Sequence, residues 1–298
     1  MKIYHITDLT EQLNTLPCAL SLGNFDGVHL GHRALIKASE DAPYTTAVFT
    51  FSDKENKVIT PIERKAALIE SLGVELLFVA PFSLFKSLTP DEFITYLADK
   101  LAAKHLVCGF NFRFGKGAVG TSDTLRALAA THEIGVTIQP AVEYGGITVS
   151  ATAIRALLAK GDIQTANLLL GTTYTLSGEV VRGFGIGKTL SFATLNLALA
   201  ETPQLLHGVY ITEAVIEGKR YPAITNIGKN PTFSRGTVSC ETHLLNVTGD
   251  FYEKHAEIRF LSFLREETSF PTPNDLKKQV LSDIEAAADY HKTGGGTV

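Results

Sequence analysis

Short apolar runs alternate with segments of helical period through the first half of the chain. Residues 18–22 form an apolar run that predicts a strand, which enters a glycine loop and then a helix over residues 32–39. Residues 46–51 (TAVFTF) predict a second strand, 62–72 a helix with apolar positions at helical spacing, and 76–79 a third strand. A helix over 90–101, a strand over 106–108, a helix over 125–132 and a strand over 136–139 continue the series. Strands alternating with helices of this length predict a parallel sheet with crossover helices. Two short helices close this half. Residues 150–160 place Ile154, Leu157 and Leu158 on one face and stop at Gly161, and Asp162 caps a second helix that ends at Gly171.

After Gly171 the texture changes. Residues 174–181, 209–215 and 258–263 alternate apolar with polar positions, and a Glu217-Gly218-Lys219 turn predicts a hairpin. Short alternating strands without intervening helices predict an antiparallel sheet or barrel. A helix over about residues 274–290, with Leu276, Val280, Ile284 and Ala287 on one face, ends the pattern, and the tail at Gly294-Gly295-Gly296 reads as disordered. The expected boundary lies near Gly171, giving domains 1–171 and 172–298. No internal repeat or low-complexity segment is visible.

Composition changes this picture little. The 298 residues suffice for about two domains, each able to bury a core, and 45% hydrophobic with 19% charged residues describes a soluble globular chain. The formal net charge of −4 gives no basic footprint, so nucleic acid is not an expected partner. The N-terminus meets Asp8 before any apolar run long enough for a signal peptide, and the longest apolar stretch, near residues 74–82, is too short to span a bilayer. Cys18, Cys108 and Cys240 lie far apart and read as reduced core residues, without a disulfide framework or zinc site. A cytoplasmic protein with no membrane or obligate protein partner is expected.

The chemistry of the first half centres on Gly23-Asn24-Phe25-Asp26-Gly27-Val28-His29-Leu30-Gly31-His32. Glycines let the backbone approach an anion, and a helix N-terminus presents free N–H groups and positive dipole to it. Two histidines flanking Gly31 can donate hydrogen bonds to phosphate oxygens and stabilise charge on a phosphate under attack. Two segments support this reading. One is Gly109-Phe110-Asn111-Phe112-Arg113-Phe114-Gly115, at the C-terminal end of a strand, where open α/β sheets bind ligands. The other is Ser150-Ala151-Thr152-Ala153-Ile154-Arg155, which offers hydroxyls, N–H groups and a guanidinium at a helix start. Taken alone, the first is a weak signal that also fits a loop with buried phenylalanines, and the second reads better as a plain helix cap with a surface arginine.

In the second half, Arg182-Gly183-Phe184-Gly185-Ile186-Gly187-Lys188-Thr189 is not a P-loop, because Arg182 stands where that pattern needs glycine and no helical pattern follows. Gly185 and Gly187 can still form a backbone nest for phosphates with Lys188 as counter-charge, and a flexible hairpin is the equal alternative. Thr194 and Asn196, two apart on an extended segment, point to the same face. Glu241 by itself reads as a solvent-facing strand carboxylate.

Together these segments resemble the bacterial bifunctional riboflavin kinase/FAD synthetase family over nearly the whole chain. Its G-x-F-D-G-x-H-x-G-H motif is matched at every fixed position by residues 23–32, and its G-x-N/D-F-R-F-G motif by residues 109–115. Its S-S-T-x-I-R motif is matched at Ser150, Thr152, Ile154 and Arg155, and its second-half motifs appear at residues 192–196, 208–210, 226–232 and 241–243. The resemblance implies a Rossmann-like nucleotidyltransferase domain that transfers AMP from MgATP to FMN, with His29, His32, Thr152 and Arg155 on the ATP phosphates and Asn111 near the nucleotide. It implies a second domain, an antiparallel β-barrel with a terminal helix, that phosphorylates riboflavin to FMN. There Thr194 and Asn196 would hold Mg²⁺ and the ATP phosphates, and Glu241 would be the general base. ATP, riboflavin, FMN and FAD are the implied small-molecule partners.

The chain departs from the family pattern at Ala151 (usually Ser), at Thr50-Phe51-Ser52-Asp53-Lys54 (usually T-F-D-P-H), at Ser191, Ala193 and Leu195 within G-F-P-T-A-N, and at Glu253 (usually Gly). Rival expectations are one surviving activity beside a non-turnover flavin-binding domain, a nucleotidyltransferase for another phosphorylated acceptor, and a non-catalytic flavin-binding regulator.

Overall fold

The computed structural model describes residues 1–13, 15–52, 58–182, 194–200, 202–229 and 238–294. The expectations for Gly185, Gly187 and Lys188, for Asp53 and Lys54, for Ser191 and Ala193, for the segment 230–232 and for the end of the glycine tail lie outside them. The chain divides into two compact units, Met1–Ala151 and Thr152–Val298.

The first unit contains a six-stranded sheet built from β1 (Lys2–His5), β2 (Cys18–Leu22), β3 (Thr45–Phe51), β4 (Leu76–Ala80), β5 (Ala103–Gly109) and β6 (Gly135–Gln139). Their order is β1-β4-β3-β2-β5-β6, and every neighbouring pair is parallel. Strands buried on both faces read as continuous apolar runs because alternate residues supply different cores. On β3 and β4, Phe49, Leu76 and Phe78 enter one cluster with Leu97 and Leu125, while Val48, Leu77 and Val79 enter another with Leu35, Ile36 and Ile69. The first face is covered by α4 (Pro90–Leu101) and α5 (Ser122–Thr131), the second by α1 (Leu30–Ser39) and α2 (Ile62–Glu70). A short α3 (Phe82–Phe85) and a small hairpin of β7 (Glu143–Tyr144) and β8 (Ile147–Thr148) complete this unit, and α6 (Ala151–Ala159) begins at its end.

Helix boundaries differ from expectation by a turn or less, and the causes are local. Helix α1 starts at Leu30 because the His29 side chain caps it, accepting from the His32 N–H. Helix α4 is fixed by a reciprocal capping box between Thr89 and Glu92 with Pro90 at its first position. The pattern gave no warning of β1, a four-residue edge strand without a buried face, or of α3, a single turn.

The second unit is a closed antiparallel barrel of β9 (Thr175–Val181), β10 (Thr194–Ala198), β11 (Gly208–Ile216), β12 (Lys219–Lys229), β13 (Val238–Leu244) and β14 (His255–Glu266), in the order β10-β13-β12-β11-β14-β9. Residues Glu217 and Gly218 both adopt positive φ, 51° and 77°, so the expected hairpin is a two-residue turn whose twist matches the flanking strands. Inside the barrel Thr212, Thr225 and Thr242 form a hydroxyl chain at 2.8 Å per link, which satisfies three buried polar groups. Outside, α8 (Pro273–Lys292) lays Ile284 and Ala287 on Val209, Ile211 and Ile224. Arg265 on β14 holds Asp283 of α8 with its Nη2 at 2.7 Å from Oδ2. Helix α7 (Ile163–Leu170) is tied to the barrel by Asn167, which donates to the Phe260 carbonyl at 2.9 Å and accepts from the Tyr174 N–H at 2.7 Å. The compact units therefore divide at Ala151, twenty residues before the boundary expected from sequence.

Candidate active site

In the parallel sheet, β3 and β4 lie to one side of β2 and β5 and β6 to the other. All strands run in the same direction, but the order in which they are added reverses between β2 and β5, and the crevice beyond the C-terminal ends of strands at such a point is where open α/β sheets bind ligands. A cavity of about 730 Å³ opens there. Gly23 and Asn24 line it after β2, Phe51 at the end of β3, Gly109 to Gly115 after β5, Gln139 to Val142 after β6, and Ser150 and Ala151 at the start of α6. His29, Gly31 and His32 line it from the N-terminus of α1.

The loop from Gly23 to His29 is a tight left-handed turn: φ is 50° at Phe25, 80° at Gly27 and 42° at Val28. Phe25, Asp26 and Gly27 are buried and do not line the cavity. The Asp26 carboxylate instead accepts from the backbone N–H groups of Ile59 at 2.8 Å and Thr60 at 3.1 Å, so it braces the turn. His29 is 6% exposed, and its Nδ1 accepts the His32 N–H at 3.3 Å. A neutral imidazole that accepts at Nδ1 carries its proton on Nε2, and that N–H is the donor left for a ligand. The His29 and His32 rings stack with centroids 3.7 Å apart, and the Phe25 ring lies tilted against His32 with centroids 4.8 Å apart. Burial lowers the His29 pKa to about 4. His32 is pushed down well below the ordinary histidine value by burial, then by His29 and Lys65. Its Nδ1 is buried and has no hydrogen-bond partner among the described residues. Gly31 leaves little room for a side chain: a Cβ there would sit 3.1 Å from His29 Cε1, so the imidazole would have to shift by a few tenths of an ångström.

The cavity wall is aromatic. Phe49, Phe51, Phe82, Phe85, Phe93 and Phe114 line it, and Phe49 meets Phe51 and Phe85 edge to face at 5.3 and 5.2 Å. Such a surface suits a planar ring system. Asn111 and Arg113 are exposed on the rim. Thr152 and Arg155 follow Ser150 on the first turns of α6, the former exposed and the latter half-buried. Phe82 and Phe85 were not anticipated, although the apolar Pro81-Phe82-Ser83-Leu84-Phe85 run directly after β4 marks them.

In the barrel, the register brings the other predicted residues into one row. Asn196 on β10 and Asn226 on β12 both pair with Glu241 on β13, and Thr194 pairs with His243. Because Leu195, Thr242 and Cys240 are buried in the barrel, the alternate residues Thr194, Asn196, Glu241 and His243 share the opposite face. Thr194 Oγ1 lies 3.1 Å from His243 Nδ1. Burial lowers the His243 pKa, and burial followed by the nearby Glu267 carboxylate raises that of Glu241. Asn226 and His243 fall within the family motifs at residues 226–232 and 241–243 without a role assigned to either, and Glu267, just after β14, was not anticipated. All three cysteines are buried, with thiols pushed up to about 12, 11 and 12 at Cys18, Cys108 and Cys240 by burial, as inert core residues should be.

Two family models match this chain, one described as FAD synthetase over residues 11–153 and one as riboflavin kinase over residues 170–291. The protein named bifunctional riboflavin kinase/FMN adenylyltransferase of Escherichia coli (strain K12) is 32% identical over 290 aligned positions, which cover 92% of each chain. Its namesake from Bacillus subtilis (strain 168) is 34% identical over 316 aligned positions, covering 97% of this chain and 98% of its own. A crystal structure described as a macrolide-efflux protein from Streptococcus pneumoniae superposes with a TM-score of 0.86 at 27% identity, covering 96% of this chain and 98% of that one. Among the described residues of this chain, no helix is long and apolar enough to cross a membrane.

Proposed function

The chain belongs to the family of bifunctional riboflavin kinase/FMN adenylyltransferases, and on that premise we propose that it makes FMN from riboflavin and FAD from FMN. The observation that carries the reading is the neutral His29/His32 stack at the N-terminus of α1, set at the reversal point of the sheet over an aromatic cavity.

In the first reaction site, an FMN phosphate oxygen attacks the α-phosphorus of ATP and pyrophosphate leaves. The His29 Nε2–H, His32 and the first N–H groups of α1 donate to the phosphate oxygens as negative charge builds on them. Ser150, Thr152 and Arg155 add donors for the polyphosphate, and Asn111 lies at the nucleotide. Gly23, Asn24 and Gly31 keep the backbone close to it, while Phe25, Asp26 and Gly27 hold the turn. Ala151 lines the cavity where the family pattern has serine. One lost hydroxyl contact costs about 1 kcal/mol, which slows a reaction several-fold and does not abolish it.

In the second site, Glu241 takes the proton from the riboflavin 5′-hydroxyl as that oxygen attacks the γ-phosphorus of ATP, and ADP leaves. A raised carboxylate pKa strengthens Glu241 as a proton acceptor. Mg²⁺ bound with ATP would neutralise phosphate charge, and Thr194 and Asn196 would hold it. The fit is chemical: both offer hard oxygen donors, and a Thr194 hydroxyl that donates to neutral His243 keeps its lone pairs for a cation. Mg²⁺ usually keeps several waters and the substrate phosphates, which would supply its remaining ligands. Gly185, Gly187 and Lys188 complete the phosphate site in this reading.

The two functional modules are taken as 1–171 and 172–298; the linking helices belong to the first by chain order and to the barrel by packing. In this reading the protein works in the cytoplasm, where ATP is available, on small-molecule ligands. The deciding experiment incubates pure protein with riboflavin, ATP and Mg²⁺, with and without EDTA, and resolves the flavins by chromatography. FMN followed by FAD, both stopped by EDTA, supports the reading. Failure of either product from its own flavin substrate removes that activity.

A further inference from the structure

A lysine ammonium is buried behind the histidine pair. Lys65, on α2, is 4% exposed, and a buried lysine needs partners for its charge. Its Nζ donates to the Asn24 carbonyl at 3.0 Å and the Phe51 carbonyl at 3.3 Å, and lies 3.5 Å from Thr50 Oγ1. The Asn24 carbonyl also accepts the Thr50 hydroxyl at 2.8 Å. These groups belong to the chain leaving β2 and β3, where Asn24 and Phe51 line the cavity. A single cation therefore ties the loop after β2 to the end of β3, both of which line the cavity. It also acts at a distance, because its charge is among the causes that keep a proton off His32. Among the described residues, the titratable groups beside it include His29, stacked on His32, and Asp26, whose carboxylate is held by the Ile59 and Thr60 N–H groups.

We propose that Lys65 is a positioning residue for adenylyl transfer: its buried ammonium locks the loop carrying Asn24 and the histidines to the end of β3, and supplies fixed positive charge to the phosphate-binding end of the cavity. Nothing in the sequence singles it out, since a lysine in an amphipathic helix reads as part of the solvent face. The inference rests on the reading of the first unit as an FMN adenylyltransferase.

The test uses the full chain with Lys65→Met and Lys65→Arg. Lys65→Met should lower kcat for FAD formation from FMN by tenfold or more, with KM for FMN changed less than threefold. Riboflavin phosphorylation by the same molecules should stay at the wild-type rate, which controls for folding of the second unit. The His32 ring signals, followed by NMR without substrate, should titrate at higher pH in Lys65→Met, because a positive neighbour has gone. Lys65→Arg should recover most of the activity. Wild-type kcat and an unmoved His32 titration in Lys65→Met would overturn the proposal. If Lys65→Met does not fold, Lys65→Arg decides: a folded arginine variant with less than a tenth of wild-type adenylyl transfer overturns it, since charge and donors are retained. A wild-type chain that forms no FAD from FMN removes the underlying reading instead, and the His32 titration, which needs no turnover, still tests the lysine.

Discussion

The imidazoles of His29 and His32 stack face to face, with centroids 3.7 Å apart and planes 17° from parallel. Two cations could not share that geometry in a buried site, so the pair rests neutral and has N–H groups to offer. The proton affinity of His29 is lowered by burial to about 4, and an unfolded chain protonates it near 6.5. Between those values the unfolded state binds the proton and the folded state does not, so stability falls as pH drops from about 6.5 toward 4. The loss from this residue reaches about 2 kcal/mol at pH 5 and about 3 kcal/mol toward pH 4. Denaturant titrations at pH 7.5 and 5 should show it, and His29→Asn should flatten the dependence over that interval. An equal slope in the variant would assign the acid sensitivity elsewhere.

Gly31 separates stability from activity. Alanine is the better helix residue by about 1 kcal/mol, so Gly31→Ala should not lower the melting temperature by helix propensity. Its Cβ, however, would press on the His29 ring at 3.1 Å and displace the donor. Displacement of a catalytic group by a fraction of an ångström costs about tenfold or more in rate. FAD formation from FMN should fall by that factor, with FMN formation unchanged; a fully active variant would show that the His29 position is not critical.

The two sites should also separate by mutation. Glu241→Gln removes the proton acceptor and should reduce FMN formation by about 10² or more while sparing conversion of supplied FMN to FAD. His32→Ala should do the reverse. Steady-state assays with each flavin supplied separately measure both, and a folded variant that lost both reactions would refute separate sites.

Glu253 occupies a left-handed backbone conformation, φ 63°, with an exposed side chain, where the family pattern has glycine. An L-residue there costs about 1–2 kcal/mol, and glycine's greater unfolded-state entropy offsets part of the relief. Glu253→Gly should therefore stabilise the barrel by about 0.5–1 kcal/mol, seen as a higher denaturant midpoint with unchanged slope. A drop in midpoint would mean that the Glu253 side chain contributes contacts outweighing the strain.

Much of this molecule is legible along the chain, and the limits have physical causes. The strand at residues 18–22 and the helix over 32–39 declare themselves by periodicity, because that signal is local. The Glu217-Gly218 turn and the Asp162 and Gly171 helix ends are local in the same sense. Residues 23–32 read as a phosphate site because glycine, histidine and a helix start need only a few neighbours to make one. The barrel's closure is different, since alternation predicts strands but not which strand lies beside which.

What the sequence by itself determined was the class of each half and the chemistry of its motifs, since backbone propensity and side-chain type act over one or two turns. Tertiary structure alone decided how distant residues cooperate. It set Lys65 under Asn24, forty-one positions away, and brought Ile59 and Thr60 to Asp26. It placed Asn196 and Asn226 on either side of Glu241, and assigned α7 to the barrel through Asn167. Those relations depend on sheet order, strand register and burial, which arise only when the whole chain packs.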